Sequence, residues 1–179
     1  MQEQYIRQIP FTTLFAALGI VLPQFFHLVG LGSIFLPMFL PIMLGSMLLS
    51  WRFALTLAVL CPVISWAITG MPPIAPPVLP VMVIELSVIA LTISIIHVHL
   101  KKSFWLALIA GIVLDRTVLL VLVYILSPLF GLDHPLFSVA LVTAGLPGIA
   151  LQLMIIPPAM VTIRQRFPHL INRDIMENN

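Results

Sequence analysis

The chain alternates between long apolar runs and short breaks of glycine, proline or charge. The runs fall at about 11–29, 34–49, 53–68, 78–98, 104–129 and 137–163. Each is near the roughly 20 residues a helix needs to cross a bilayer. The breaks are Gly30-Leu31-Gly32-Ser33, Trp51-Arg52, the proline-rich segment 70–80, Lys101-Lys102 and the segment 131–135. Lipid offers backbone groups no water, so spans of this length must satisfy their hydrogen bonds internally, as helices. The pattern predicts an all-α membrane protein of six transmembrane helices, in a single domain over 1–179. The polar segment 1–10 leads into an apolar stretch of spanning length, which predicts that no signal peptide is cleaved.

The basic residues orient these spans. Arg7 precedes the first, Arg52 separates the second and third, and Lys101 and Lys102 separate the fourth and fifth. Arg164, Arg166 and Arg173 follow the sixth. With six spans all seven fall on one side, and the opposite loops carry no Lys or Arg. The positive-inside rule then puts both termini in the cytoplasm of a multi-pass protein of the cell (plasma or inner) membrane. An odd span count would scatter the charges over both faces.

Composition agrees. Of 179 residues, 61% are hydrophobic and 8% charged, where a soluble domain carries about 25% charged residues. The mean hydropathy of +1.18 leaves that surface no home but lipid. A formal net charge of +2 is too small and scattered to recruit nucleic acid. One cysteine, Cys61, excludes an internal disulfide and a cysteine-based metal cluster. His97 and His99 lie at a loop without clustered carboxylates, so neither a metal nor a cofactor is implied.

Prolines lie within or at the ends of the spans, at Pro23, Pro37, Pro41, Pro62, Pro147, Pro157 and Pro158. Each removes a backbone donor, which a membrane tolerates only beside protein or a water-lined cavity. With the Gly- and Pro-rich outer loops 30–33 and 70–80, they fit a semi-rigid lid over an outward-facing cavity, or ordinary kinks and tight turns.

Ionisable groups inside spans cost about 2.5–3.5 kcal/mol each on insertion scales, so each needs a reason. Glu85 falls in span four, and Asp115 and Arg116 in span five. Gln152 lies in span six, and Gln24 and His27 near the outer end of span one. Neighbouring residues point about 100° apart on a helix, so Arg116 is expected to pair with Glu85 rather than with Asp115. Straight helices leave those two groups about 10 Å apart in depth, a gap for tilt and the long arginine side chain to close. The pair either locks two spans together or orients a ligand. In span one, Thr12 and Ala16, and Thr13 and Ala17, are four apart, and Gly19 follows. Such a small-residue ridge admits a close helix from a partner or from the same chain.

Several short segments, in order, resemble the substrate-specific S components of energy-coupling factor (ECF) transporters. They are Phe35-Leu36-Pro37-Met38, Thr69-Gly70-Met71-Pro72-Pro73, Ile84-Glu85-Leu86 and Leu146-Pro147-Gly148-Ile149, with the ridge of span one. The resemblance implies a six-helix subunit that captures a vitamin or related micronutrient outside the cell. The implied substrate-binding set is Gln24, His27, Phe35, Met38, Thr69, Met71, Glu85, Arg116 and Gln152. Thr12, Thr13, Ala16, Ala17 and Gly19 would meet a transmembrane T component, coupled to two cytoplasmic ATPases. The chain has no Gly-rich phosphate loop of its own, and no enzymatic role is expected.

Rival readings are a stand-alone secondary transporter or channel, a scaffold, and a membrane enzyme. An enzyme needs clustered catalytic groups, and no such motif surrounds Glu85 or Asp115. No inverted repeat is evident, which disfavours a transporter built on one. An apolar lining suits a flat or aromatic ligand. Cobalamin and its precursors, queuosine precursors, and pyrimidine- or nicotinate-like vitamins remain open.

Overall fold

Among the described residues, six helices and one π-helical turn form the fold. The computed structural model describes residues 2–28, 30, 35–74, 77–130 and 145–167. In chain order they are α1 (Gln2–Leu28), α2 (Phe39–Leu48), α3 (Trp51–Thr69), α4 (Val78–Ile93), α5 (Phe104–Phe130) and α6 (Leu146–Arg166). A π-helical turn, Ser94–His99, continues α4. No strand occurs among the described residues. The breaks expected at 31–33 and 131–135, and the start of the sixth span at 137, lie outside them.

Local chemistry sets most of the boundaries. Helix α3 stops at Gly70, whose left-handed φ of 74° lets its N–H close on the Trp66 carbonyl. Ser103 opens α5 by accepting a hydrogen bond from the Leu106 N–H. Pro147 sits in the first turn of α6, where a missing N–H costs nothing, and Pro41 sits likewise in α2.

Among the described residues, five helices are long and apolar enough to cross a bilayer. Helix α2 is not, because its 10 residues extend only about 15 Å. The run expected to span from 34 is therefore shortened, and Phe35–Met38 precedes the helix rather than opening it. Pro37 is the cause: it disfavours helical backbone at Leu36, which takes a left-handed φ of 47°. A short helix is tolerated here because protein surrounds it. Its residues Phe39–Met43 and Gly45–Met47 are all buried, packed by α1, α3, α4 and α6.

Around α2 the core gathers Met43, Leu57, Leu86, Ile89, Ile93, Leu108 and Ile156. In lipid, helices gain little from apolar burial alone, so close approach matters. A Cβ on Gly45 would stand 2.8 Å from Leu57 Cδ2 and 3.1 Å from the Phe15 ring; one on Gly111 would stand 3.0 Å from Ile93 Cγ1. These glycines bring α2 against α1 and α3, and α5 against α4. The outward faces remain apolar, with Leu14, Val21, Val113 and Met154 among the exposed residues.

One end of the bundle is stitched by polar contacts. The Ser50 N–H donates to Gln8 Oε1 at 2.7 Å, and Ser94 Oγ donates to the Leu49 carbonyl at 2.8 Å. The start of α1, the α2–α3 junction beside Arg52 and the α4–α5 connection beside Lys101 thus share one end, as the charge pattern requires.

Candidate functional site

The opposite end holds a small cavity of about 50 Å³. Helix α1 contributes Pro23, Gln24 and His27, and the turn into α2 contributes Leu36, Pro37 and Met38. Ser65 of α3, Met71 and Pro72 beyond it, and Met82 of α4 complete the wall. Of the loop expected as a lid or a tight turn, Met71 and Pro72 line the cavity, while residues 75–76 lie outside the described ones. Gln24 Nε2 is buried and donates no hydrogen bond, so an amide donor stands at this wall without an acceptor.

Next to the cavity lies a charged cluster. Arg116 Nε and Nη2 both donate to Asp115 Oδ2, at 2.9 and 2.7 Å. Arg116 Nη2 lies 3.8 Å from Glu85 Oε1, an ion pair rather than a hydrogen bond. The expected order of partners is therefore reversed. The arginine side chain is long enough to bend back over the adjacent residue, so the 100° separation does not keep the two groups apart. Both acids are buried, Glu85 at 8% and Asp115 at 2% exposure. Glu85 Oε1 and Asp115 Oδ1 accept no hydrogen bond. With all three groups ionised, the cluster carries one surplus negative charge.

Two residues connect cavity and cluster. Met82 lines the cavity and precedes Glu85 by one turn, so the two share a face of α4. Leu36 also lines the cavity and reaches Gly145, at the start of α6. A Cβ on Gly145 would stand 3.2 Å from Leu36 Cδ1 and 2.7 Å from Arg116 Nη1. A side chain there would push the guanidinium from its present seat. The left-handed backbone of Leu36 costs about 1–3 kcal/mol, a strain that neighbouring packing must hold.

Of the expected substrate-binding residues, Gln24, His27, Met38 and Met71 line the cavity, and Glu85 and Arg116 form the cluster. Gln152 is buried on the face of α6 that also presents Gly145 and Gly148. Two expectations change. Phe35 packs its ring 5.9 Å from that of Phe26 instead of lining the cavity. Thr69 is exposed, and its Oγ1 accepts from the Met71 N–H and donates to the Ser65 carbonyl, shaping the turn that carries Met71.

The small-residue ridge divides. Thr13 and Ala17 are exposed, in one stripe with Leu14, Leu18 and Val21. Thr12 and Ala16 are half-buried, and Ala16 packs against the core. Gly19 leaves the expected partner face: a Cβ there would stand 2.9 Å from Cys61 Sγ, so it serves the crossing of α1 with α3. The Thr12 and Thr13 hydroxyls are satisfied by the Gln8 and Ile9 carbonyls.

Sequence reasoning did not single out Met82, Leu36 or Gly145 individually. Met82 had a signal, standing three residues before a buried acid on a helix. Leu36 and Gly145 had none, because their roles arise from contacts between distant segments.

Among the described residues no group of three or more His, Cys, Asp or Glu could hold a metal ion. Comparison with curated proteins and with solved structures gives no match. A family model described as "ECF transporter, substrate-specific component" matches residues 7–163. The chain belongs to the substrate-specific components of ECF transporters.

Proposed function

We propose that this subunit captures a vitamin-like small molecule from outside the cell and delivers it inward, with a T component and two cytoplasmic ATPases. The observation that carries this is the cavity lined by Gln24, His27, Met38 and Met71, at the end away from Arg52 and Lys101. By the positive-inside rule that end faces out, in the plasma membrane. Its mix of apolar walls and a few polar groups is the composition of a small-molecule site.

At about 50 Å³ the cavity is smaller than the roughly 300–1,000 Å³ of ligand pockets, so loading requires it to widen. Met38, Met71 and Met82 supply unbranched side chains that repack readily. The Gly70–Pro72 turn and Leu36 are the wall elements whose movement would widen the cavity. Thr13 and Ala17 offer the low outer ridge for the T component. The cluster of Glu85, Asp115 and Arg116 lies one turn beyond Met82, where it orients the ligand's polar end.

The test is purification of the tagged chain from its native membranes. The proposal expects a membrane T component and ATPase subunits in the same complex, and a small molecule released on denaturation. A chain that comes down without these partners and without a small molecule contradicts it.

A further inference from the structure

We propose that the captured ligand carries a basic, positively charged nitrogen, which Glu85 receives once Leu36 and Met82 move aside; this rests on the ligand-binding reading above. The cluster itself supplies the first argument. Asp115 and Arg116 neutralise each other through two short hydrogen bonds, leaving Glu85 as the surplus acid. Its Oε1 is 3.8 Å from the guanidinium and accepts no hydrogen bond, although the residue is more than nine-tenths buried. A buried carboxylate without a full partner is costly at membrane depth, and a cationic ligand group meets that need directly.

Position supplies the second argument. Met82 lines the cavity one turn from Glu85, and Leu36 lines it while crowding Gly145 beside Arg116. These two apolar side chains are the cavity-lining residues nearest in the fold to the cluster. One is a flexible methionine and the other sits at a strained φ of 47°, so both can yield to an entering group. The third argument is the wall that α1 contributes. Gln24 Nε2 is buried there without an acceptor. A ligand that accepts a hydrogen bond at one end and donates from a charged nitrogen at the other satisfies both orphaned groups. An anionic ligand would place like charge against Glu85.

The test compares three probes of one shape with the purified protein in detergent. They are 3-picolylamine, which is cationic, nicotinamide, which is neutral, and nicotinate, which is anionic. Wild type should bind 3-picolylamine at least about tenfold more tightly than nicotinate, with nicotinamide between. Glu85→Gln should shrink that preference to less than about threefold. A nicotinate affinity equal to or above that of 3-picolylamine overturns the proposal, as does a preference unchanged in Glu85→Gln. The compound released from purified wild type needs no variant and provides a second readout. A basic nitrogen in it supports the proposal. A released acid without one overturns the charge assignment while leaving the ligand-binding reading intact. No released compound and no response to any probe overturns both.

Discussion

Arg116 closes on its own neighbour Asp115, two nitrogens to one oxygen at 2.7 and 2.9 Å, and holds Glu85 only at 3.8 Å. Two acids thus share one guanidinium unequally. Hydrogen bonds to charged groups are worth about 1.5–3 kcal/mol, so the unequal geometry has unequal consequences.

Asp115→Asn should destabilise the ligand-free protein by about 1.5–3 kcal/mol, since it weakens both hydrogen bonds. Glu85→Gln should leave stability unchanged or raise it, because it removes surplus buried charge and breaks no hydrogen bond. The double variant should cost about 3–5 kcal/mol, as it strands Arg116. Its cost then exceeds the sum of the two singles, the mark of residues that share a partner. Thermal unfolding of the four proteins in detergent reads this directly. Equal losses from both single variants would show that the two acids are equivalent.

Gly145 separates packing from charge. A methyl group there would stand 2.7 Å from Arg116 Nη1 and 3.2 Å from Leu36 Cδ1. Gly145→Ala should therefore cost about 1–3 kcal/mol and weaken ligand binding, with no charge altered. Gly30→Ala is the contrast for space, since a Cβ there meets nothing within 4 Å, though its φ of 71° adds strain. Wild-type stability and binding in Gly145→Ala would remove Arg116 from its assigned seat.

The spans were legible because lipid imposes one length and one backbone on every crossing. The buried acids were legible for the same reason, since charge is conspicuous in an apolar run. What was not legible is tertiary. The shortening of α2 depends on the backbone that Leu36 adopts before Pro37, and on neighbours that cover a helix too short to span. The depth gap of about 10 Å expected between Glu85 and Arg116 on straight helices closes to a 3.8 Å ion pair, but spacing alone did not show that Arg116 would bend back onto Asp115 first. Gly19 and Ala17 read alike as small residues; only the crossing with Cys61 turns Gly19 inward.

That division gives a prediction for α1. Ala17→Leu adds bulk to an exposed face and should abolish uptake while the isolated subunit still binds ligand. Gly19→Leu drives side-chain atoms into Cys61 and Pro41 and should prevent folding. Transport assays paired with binding by the purified subunit distinguish the two. Loss of binding in Ala17→Leu would assign that residue to internal packing.

The orientation is testable in a Cys61→Ala background. A cysteine at Ile74, which is exposed beyond α3, should react with an impermeant reagent on intact cells. One at Lys102 should react only after the membrane is opened. The reverse pattern would invert the topology and put the cavity on the cytoplasmic side.

Native mass spectrometry of the purified subunit tests the central claim most directly. Wild type should fly as two species separated by the mass of one small molecule. The heavier species should persist in Ala17→Leu and fall sharply in Glu85→Gln. Spectra without a second species, or with the same heavy fraction in Glu85→Gln as in wild type, would contradict a ligand site built on Glu85.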